Sequence, residues 1–446
     1  MQKVLVANRS EVAVRVIRAC RELEIPSVAV YSDADVEALH VRFADEAVHI
    51  GPAKAQKSYL NIEAIVEAAK KEGADAVHPG YGFLAENARF AAACQEAGLT
   101  FVGPSAETME QIGDKSAARQ LAREADVPVV PGTEGNTTPE EALEKASEIG
   151  YPVMVKAAAG GGSRGIRVVE SEKELEEALK EAMREAEAAF GEGSVYLEKF
   201  LEKPRHVEVQ VMGDGEGNVV HFYERECSMQ RRRQKIIEEA PSPGISPETR
   251  EEITQAAVRL AKHAGYANAG TVEFLVDGDG SFYFIEMNTR IQVEHPITEV
   301  VTGVDLVKEQ LKVAGGEGLS VGQQEISLAG HAIEFRVNAE DPENDFFPSP
   351  GEITAVEVPG GPGVRVDTAI FAGYQVPPFY DSMVGKLITW GADRHEALAR
   401  GRRALGEYRI EGIKTTIPLH LRLLGAKAFL SGEYDVGYLE RLLGEE

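Results

Sequence analysis

The sequence predicts an α/β protein whose first hundred residues form a doubly wound parallel sheet. Short apolar runs, typical of buried strands, alternate in this region with segments of helical periodicity. The connections between them are short, and such strand–helix–strand repetition is typical of parallel sheets. A length of 446 residues is too great for one compact core, so we expect two to four domains.

The elements of this first region are predicted in close succession. Strands are expected at Lys3–Ala7, Ser27–Tyr31, Asp75–His78 and Thr100–Val102, and helices at Glu11–Leu23, Ile62–Lys71 and Asn87–Ala97. Ligands of parallel sheets bind beyond the carboxyl ends of the strands, where the loop HPGYGFLAEN (His78–Asn87) is expected. The first strand-to-helix turn, ANRSEV, lacks the pattern G-x-G-x-x-G and gives little support for a dinucleotide site.

Two further regions follow a Gly-, Pro- and Thr-rich connection at Pro128–Pro139. The first begins with strands at Pro152–Lys156 and Ile166–Val169, an acidic helix at Glu172–Glu187 and a strand at Ser194–Glu198. From Val207 onward the pattern predicts β-hairpins and helices. After about Gly330 a third region starts with strands, in the segments HAIEFRV, GEITAVEV and VGKLITW, and ends in helices.

Composition excludes several classes of function. The chain has 73 acidic and 47 basic side chains and a formal net charge of −26, which argues against a nucleic acid as partner. No apolar run reaches the roughly 18 residues of a membrane span, and the N-terminus does not resemble a signal peptide. Cys20, Cys94 and Cys227 have no metal-binding spacing, so we expect reduced and mostly buried thiols of a cytosolic protein.

A glycine-rich loop, Lys156-Ala-Ala-Ala-Gly160-Gly161-Gly162-Ser163-Arg164-Gly165, lies between two predicted strands. Such a loop lets backbone N–H groups approach a phosphate closely, and Lys156 adds positive charge. It is not a Walker A loop, because G-K-[ST] before a helix is missing. Taken alone, the loop does not distinguish a phosphate site from a flexible surface hairpin.

A row of polar residues follows the predicted hairpin Thr271–Val276 and Ser281–Met287. A symmetric turn at Asp277–Gly280 places Glu273 opposite Phe284, with Glu286 as its diagonal neighbour roughly 7–8 Å away. If the second strand stays extended, one face carries the side chains of Glu286, Asn288, Arg290, Gln292 and Glu294.

The composition of this row points to phosphate and anion chemistry. Two carboxylates and an amide are hard oxygen ligands for Mg²⁺ that carries nucleotide phosphates. An arginine and a further carboxylate can hold a small anion and remove its proton. The alternative is an amphipathic strand with its polar face in water, and such a strand does not require this particular sequence of carboxylate, amide and guanidinium groups. Four basic residues within Arg231–Lys235 supply the local positive field that an anionic substrate needs in an acidic chain.

Several longer segments carry a resemblance to a known family. They are ANRSEVAVR, HPGYGFLAEN, GDKSAAR, the glycine-rich loop, EKFLEKPRHVEVQ, SMQRRRQK, EAPSPG, FIEMNTRIQVEHP, FRVNAEDP, PSPG and YDSMVGKL. Over essentially its whole length the chain resembles biotin carboxylase, the ATP-grasp subunit of biotin-dependent carboxylases. The resemblance implies an N-terminal domain at 1–113, an ATP-grasp domain at 114–315 with a mobile lid at about 130–203, and a C-terminal α+β domain at 330–446.

The resemblance implies a ligase that carboxylates the biotin of a carrier protein with bicarbonate, through carboxyphosphate, and releases ADP and phosphate. The ATP-binding residues that it implies are Lys115, Lys156, Gly161, Gly162, Ser163, Gly165, Glu198, Lys199, Leu201, His206, Gln230, Arg233, Glu273 and Glu286. Those for Mg²⁺ (or Mn²⁺) are Glu273, Glu286 and Asn288.

The resemblance also implies a site for bicarbonate and biotin and a set of catalytic residues. The binding residues are Lys235, Arg290, Gln292, Val293, Glu294, Arg336, Tyr81 and Asp381. In the reaction Glu294 is the base that deprotonates bicarbonate and Arg336 stabilises the enolate of the biotin ureido ring, with Arg290 and Lys235 also catalytic.

Four positions depart from the pattern of the family. Ser10 and Ser163 stand where glycine is usual, Ala159 replaces another loop glycine, and Arg233 stands where histidine or asparagine is common. Because serine resists positive φ, we expect Ser163 to alter lid closure and nucleotide affinity without abolishing the chemistry.

The partners implied are a second copy of the chain, a biotin carboxyl carrier protein and a carboxyltransferase subunit, in the cytoplasm, without nucleic acid or membrane. No methionine flanks a lysine, so the Met-Lys-Met attachment motif is absent and biotin is expected on another chain. The final acceptor, acetyl-CoA, propionyl-CoA or pyruvate, is not specified by this sequence.

Two other functions stay open on the sequence alone. One is another ATP-grasp ligase, such as a carboxylate–amine ligase, although Glu294 with Arg290 and Lys235 argues for bicarbonate. The other is a nucleotide-binding regulatory protein without turnover, against which the complete catalytic row argues.

Overall fold

A parallel sheet of five strands forms the first region, as predicted. The computed structural model describes residues 1–133, 137–157, 166–190 and 195–444. The strands lie in the order Glu46–Gly51, Ser27–Ser32, Val4–Val6, Ala76–His78 and Thr100–Phe101, and all neighbours are parallel. The edge strand Glu46–Gly51 was not predicted, because most of its side chains are exposed or only partly buried and its sequence shows no apolar run.

Helices cover both faces of this sheet. They are Ser10–Glu22, Leu39–Phe43, Ile62–Lys71 and Ala88–Glu96, while the next two helices, Ala106–Gly113 and Lys115–Glu124, pack toward the core of the wide sheet described below. Successive residues of the first strand point to opposite faces: Val4 and Val6 belong to one apolar core and Leu5 to another. The N-terminal sheet is therefore doubly wound, which confirms the prediction.

A small antiparallel sheet forms a separate unit beyond residue 137. Its strands Ile166–Val169, Val153–Ala157 and Val195–Lys199 are covered by the helices Pro139–Ile149 and Glu172–Phe190, around a core of their own. The glycine-rich loop joins two of these strands. Its residues 158–165, which include Ala159 and the predicted ATP-binding residues Gly161, Gly162, Ser163 and Gly165, lie outside the described residues.

An antiparallel sheet of eight strands runs through the rest of the molecule. Its strands lie in the order Phe282–Asn288, Ala267–Val276, Arg205–Asp214, Val219–Arg231, Gln234–Ala240, His331–Asn338, Met383–Gly391 and Val364–Thr368. The last three belong to the predicted C-terminal domain, so one sheet continues across the predicted boundary between residues 315 and 330. The helices Pro247–His263, His295–Thr302 and Leu306–Ala314 come from the central part.

The C-terminal part ends in helices, as predicted. These are Arg394–Glu407, Ile417–Leu423, Lys427–Ser431 and Tyr438–Leu443. Three pairs of short strands precede or accompany them: Glu340–Asp341 with Phe347–Pro348, Gly351–Glu352 with Gln375–Val376, and Ala355–Glu357 with Arg409–Glu411. The predicted strand segment GEITAVEV is divided between two of these pairings, and between them Ile353 is buried and the Thr354 N–H donates to the Glu411 carbonyl.

The hairpin that carries the polar row differs from its predicted register. Glu273 lies opposite Glu286, while Phe274 lies opposite Phe284, so Ile285 is an extra residue in a β-bulge. The predicted pairing of Glu273 with Phe284 is wrong for two reasons: Val276 pairs with Phe282 and not with Ser281, and the bulge at Ile285 then adds a second residue. The two shifts together make Glu286 the direct rather than the diagonal neighbour of Glu273.

The extended course predicted through Glu294 is also wrong. The second strand ends at Asn288, the chain bends over residues 289–294, and helix His295–Thr302 follows directly with Pro296 in its first turn. Proline is favoured in a first helical turn because its fixed φ suits the helix and its missing N–H is not needed there. Glu294 thus occupies the N-cap position of a helix, without a capping hydrogen bond from its side chain, instead of continuing a strand.

The three cysteines are buried and form no disulfide. Burial raises the pKa of Cys20 and of Cys94 to about 12, so both remain neutral thiols. Among the residues that the structure describes, no helix combines the length and the apolar composition needed to cross a bilayer.

Candidate active site

Neighbouring strands of the wide sheet bring one row of charged side chains together. Glu286, Glu273, Glu208 and Arg225 follow one another across four adjacent strands in direct register. Residues opposite each other in a sheet share a face. On the strand Arg205–Asp214, the valines at 207, 209 and 211 pack into the core, whereas His206, Glu208 and Gln210 share the face that carries the charges.

Lys235 lies at the centre of this cluster. Its Nζ donates to Glu208 Oε2 at 2.6 Å and to Glu294 Oε1 at 2.6 Å, and lies 3.3 Å from Glu273 Oε1. Burial alone would lower the pKa of Lys235, but the surrounding acidic groups raise it well above its ordinary value. Lys235 is therefore a fixed positive charge among three carboxylates.

Glu294 is held between two cations. Lys235 contacts one of its carboxylate oxygens, and Arg336 Nη2 donates to the other at 2.8 Å. The side chain is fully buried, which opposes ionisation, yet Lys235 and Arg336 bring the pKa of Glu294 well below its ordinary value. Arg336 is fixed in turn by a 2.6 Å bond from Nε to Glu238 Oε1. Glu294 is thus an ionised acceptor in a site shielded from water.

The residues of the bend converge on Glu273 even though they are not extended. Asn288 Nδ2 and Gln292 Nε2 donate to Glu273 Oε1 at 2.7 and 3.1 Å. Arg290 donates from Nη1 to Gln292 Oε1 at 2.7 Å and from Nη2 to Asn288 Oδ1 at 3.1 Å. The predicted grouping of these polar side chains is present, but a bend and not a straight strand produces it.

The pair Glu273 and Glu286 fits a divalent cation. Burial opposes the charge of Glu273, but Lys235 and His206 lower its pKa, so it is ionised. Partial desolvation and then the charge of Glu273 raise the pKa of Glu286, which shows that the two carboxylates repel each other. A cation between them would remove that repulsion, and carboxylate oxygens with the amide oxygen of Asn288 are the hard donors that Mg²⁺ prefers.

The other residues with a predicted ATP role lie around this cluster. His206 Nε2 is 2.9 Å from Glu273 Oε2, and Gln230 lies opposite Lys235. Glu198 is buried and pairs with both Lys156 and Arg119, so its carboxylate is already engaged. Lys115 is exposed at the start of helix Lys115–Glu124, and Arg233 lies at the exposed tip of a hairpin. The backbone N–H of Lys199 donates to the Pro131 carbonyl, and Leu201 is buried.

Tyr81 and Asp381, which the resemblance places near biotin, come from two different regions. The ring of Tyr81, in the loop after strand Ala76–His78, lies 5.6 Å from Lys386 Nζ. Asp381 is exposed and accepts the N–H of Met383 at 2.8 Å, just before strand Met383–Gly391. Tyr81 therefore lies beside Lys386, which shares a sheet face with Arg336, whereas Asp381 lies just before the strand that carries Lys386.

Sequence reasoning missed four charged residues of the site. Glu208, Arg225 and Glu238 are fully or almost fully buried within it, and Glu86 Oε2 lies 3.1 Å from Arg290 Nε. The alternation of HVEVQV was a usable signal for Glu208, because valines every second residue leave the intervening polar residues on one face. Arg225 and Glu238 gave no such signal, since only strand pairing brings them to the cluster.

Family models match the chain in each of its three predicted regions. The chain matches the families described as "Biotin carboxylase, N-terminal domain" over residues 1–109, "Carbamoyl-phosphate synthase L chain, ATP binding domain" over 114–321 and "Biotin carboxylase C-terminal domain" over 334–441.

The similar proteins include two curated relatives and a solved structure. "Biotin carboxylase 1" of Bacillus subtilis is 56% identical over 99% of this chain and 98% of its own. "Biotin carboxylase" of Pseudomonas aeruginosa is 55% identical over 100% of this chain and 99% of its own. The biotin carboxylase domain dimer of Hydrogenobacter thermophilus 2-oxoglutarate carboxylase, solved with MgADP, ADP and bicarbonate, is 50% identical with a TM-score of 0.88, over 99% of this chain and 97% of its own. The chain belongs to the biotin carboxylase family.

Proposed function

We propose that the chain carboxylates biotin on a carrier protein, using ATP and bicarbonate and releasing ADP and phosphate. The observation that carries this proposal is the buried carboxylate of Glu294 between Lys235 and Arg336. A small anion with a removable proton fits such a site, because the two cations can bind the anion while the carboxylate accepts the proton.

In this proposal the nucleotide lies between the small three-stranded unit and the wide sheet. Lys115 and Lys156 contact the phosphates of ATP, the glycine-rich loop covers them, and Glu198, Lys199 and Leu201 lie at the adenine. His206 and Gln230 contact the nucleotide, and Glu273, Glu286 and Asn288 hold Mg²⁺. When bound there, Mg²⁺ neutralises phosphate charge that develops during transfer.

The first step deprotonates bicarbonate. Lys235, Arg290, Gln292 and the Val293 N–H hold it, and Glu294 accepts its proton. Binding of the anion draws the hydrogen bonds of Lys235 and Arg336 away from Glu294, which makes that carboxylate a stronger base. The freed carbonate oxygen forms a bond to the γ-phosphorus of ATP, the bond to ADP breaks, and carboxyphosphate and ADP result.

The second step transfers the carboxyl group. Carboxyphosphate separates into CO₂ and phosphate, and the phosphate takes the proton of the biotin ureido N–H. Arg336 stabilises the negative charge on the ureido oxygen, and the ureido nitrogen bonds to CO₂ to give carboxybiotin. Both steps spread negative charge over oxygens, so fixed cations in a water-poor site supply most of the stabilisation.

The proposal extends to architecture and partners. It includes domains at 1–113, 114–315 and 330–446, a lid at about 130–203 that closes over ATP, and a cytoplasmic location. The partners are a carboxyltransferase subunit, together with the biotin carboxyl carrier protein. Support for a homodimer comes from the dimer of the related Hydrogenobacter thermophilus domain.

Hydrolysis of ATP by the purified chain tests the function. We expect hydrolysis to require bicarbonate, and free biotin to stimulate it. Glu294→Gln removes the proton acceptor but keeps the shape of the side chain, so we expect kcat to fall by about 100-fold or more. Phosphate release at varied bicarbonate is the measurement.

The control is Glu309→Gln, a buried glutamate that bonds to Ser320 and Lys312 outside the cluster, for which we expect kcat within about twofold of the unaltered chain. Hydrolysis that needs an amine instead of bicarbonate would assign the chain to another ligase. Nucleotide binding without any turnover would make it a regulatory protein.

A further inference from the structure

We propose that Lys386 is a positioning residue that fixes the turn carrying Val293 and Glu294 and so sets the affinity for bicarbonate. The inference rests on the proposed function, because it concerns the same anion site. Lys386 makes no contact with Glu294 that the structure records, and it acts through the backbone of the turn.

The geometry begins with a buried ammonium group bonded to a backbone carbonyl. Lys386 lies in the strand Met383–Gly391 directly opposite Arg336, and its side chain is 0% exposed. Its Nζ donates to the Val293 carbonyl oxygen at 2.9 Å. A charge buried to this degree is destabilising unless it is paired and hydrogen-bonded. The Val293 carbonyl is one of the groups that satisfy it, and the ammonium group in turn holds this carbonyl in place.

The partners that keep Lys386 charged come from distant parts of the chain. Glu11, in the first turn of helix Ser10–Glu22, places Oε2 at 3.3 Å from Nζ, and the ring of Tyr81 lies 5.6 Å away, within reach of a cation–π interaction. Asp367 lies opposite Lys386 on the edge strand. Burial alone would lower the pKa of Lys386, but Glu11, Glu334 and Asp367 raise it.

The carbonyl before Val293 is fixed as well. His295 Nδ1 lies 2.8 Å from the Gln292 carbonyl oxygen and must donate to it, because a carbonyl only accepts. In a planar trans peptide the N–H points away from the C=O, so this bond sets the direction of the Val293 N–H. Lys386 holds the next peptide, which leads into Glu294. Together the two bonds orient the proposed bicarbonate donor and the proposed base.

Two consequences follow for the molecule. The turn is held by the C-terminal part through Lys386, and Lys386 is held by the N-terminal part through Glu11 and Tyr81. All three predicted domains therefore meet at one ammonium group behind the bicarbonate site. A loss of that group should misplace the Val293 N–H and Glu294 while leaving the nucleotide contacts on the other side of the cluster in place.

Lys386→Met tests this role, since methionine fills the space of the lysine stem without a charge or a donor. We expect KM for bicarbonate to rise by about 10-fold or more, because small displacements of positioned groups reduce binding and rate strongly. We expect KM for ATP to stay within about threefold. Steady-state ATP hydrolysis at varied bicarbonate and varied ATP gives both values.

A matched control separates positioning from a general loss of stability. Arg394→Met also removes a cation, one that is partly buried and pairs with the buried Glu239, and it leaves the turn untouched. We expect Arg394→Met to lower the melting temperature but to keep KM for bicarbonate within about twofold. An equal rise in KM for bicarbonate in both variants would overturn the proposal, as would an unchanged value in Lys386→Met.

A milder variant decides the question if Lys386→Met does not fold. Glu11→Gln keeps the size of the side chain and the Val293 bond but removes the carboxylate that holds Lys386 from the N-terminal side. Burial raises the pKa of Glu11 to about 7, so the comparison is made above pH 8, where Glu11 is ionised. We expect a rise of about threefold or more in KM for bicarbonate with an unchanged KM for ATP, and an unchanged KM for bicarbonate would overturn the proposal. The unaltered chain separates failure of the proposed function from failure of the role of Lys386. If the unaltered chain hydrolyses no ATP with bicarbonate, the proposed function fails. If the unaltered chain is active and the variants are unaffected, only the role of Lys386 fails.

Discussion

Ser10 begins the first helix with a backbone φ of +58°. This left-handed conformation is one that glycine adopts freely and that costs other residues about 1–2 kcal/mol. The N-cap residue Arg9 makes no side-chain hydrogen bond to the helix, so no cap compensates for the strain at Ser10. The residue that departs from the family pattern at this position therefore occupies a backbone geometry that favours glycine.

Ser10→Gly should stabilise the protein. Glycine removes the cost of the left-handed backbone, about 1–2 kcal/mol. It also makes the unfolded chain more flexible, which destabilises the folded state by about 0.4–1 kcal/mol. The first effect is larger, so we expect the free energy of unfolding to rise by up to about 1 kcal/mol. Denaturant unfolding measures the change. In contrast, Ser246→Gly acts at φ −75°, where serine caps helix Pro247–His263, and should lower the free energy slightly. A decrease for both variants would contradict the argument.

The polar row shows how far single residues can be predicted from sequence. Alternation grouped Asn288, Arg290, Gln292 and Glu294, and these side chains do lie close together, although a bend and not a strand face brings them there. Glu273, which accepts from Asn288 and Gln292, and Lys235, which donates to Glu294, were found by composition and by the resemblance. Arg225 and Glu238 were missed, since their presence in the site depends on strand pairing between residues far apart in the chain.

Among the elements, hairpin register was the weakest prediction. A symmetric turn was assumed for the hairpin of Glu273 and Glu286, but Val276 pairs with Phe282, which brings Phe274 opposite Phe284 in the apolar core, and Ile285 bulges beyond them. The register thus follows the packing of the two aromatic side chains and not the symmetry of the turn. Such a choice depends on the helices beneath the sheet and cannot be read from the hairpin sequence alone.

A second hairpin makes a testable case for turn geometry. Arg232 and Arg233 join the strands Val219–Arg231 and Gln234–Ala240 with φ values of +48° and +67°. Positive φ at both central residues is typical of the tight hairpin turn that prefers glycine or asparagine. We expect Arg233→Gly to raise the free energy of unfolding by about 0.5–1 kcal/mol, as measured by denaturant unfolding.

Arg231→Gly provides the comparison, because Arg231 lies within the strand, pairs with Asp345 and packs 4.1 Å above the ring of Phe346. We expect this variant to be destabilised. If Arg233→Gly is destabilised to the same degree, the turn geometry is not the deciding factor. The variant Arg233→Gly also tests the predicted ATP contact of Arg233, since loss of a contact with the nucleotide would raise KM for ATP.

At the scale of the whole molecule, buried ion pairs connect parts of the chain that are far apart in sequence. Arg9 pairs with Asp35 and also donates to Tyr374 at 3.1 Å, which joins the first sheet to the C-terminal part. Arg15 pairs with Glu299 of the central helix His295–Thr302. None of these pairings follows from local patterns, and the prediction of three regions therefore said nothing about how they are joined.

Glu239 illustrates what such a junction contributes. Its carboxylate, buried in strand Gln234–Ala240, accepts hydrogen bonds from Arg394 at 2.7 and 2.9 Å, from His331 at 2.8 Å and from Tyr434 at 2.5 Å. Burial opposes ionisation, but His331 and Arg394 lower the pKa of Glu239 from 4.5 to about 2. The ionised form is thus favoured by the fold, by about 3 kcal/mol.

The pH dependence of this contribution has a definite sign. Because the pKa of Glu239 is lower in the folded state, its contribution is fully present above pH 4.5 and is lost as the pH falls from 4.5 toward 2.

Glu239→Gln should therefore lower the free energy of unfolding by about 3–5 kcal/mol at pH 7, where Arg394 loses its buried partner. The difference between the two proteins should narrow as the pH falls below 4.5. Denaturant unfolding across this pH range measures it, with Glu407→Gln, in an exposed pair with Arg403, as a control expected to change by less than about 0.5 kcal/mol. A difference that persists unchanged at pH 3 would show that the cost comes from altered packing and not from the lost charge.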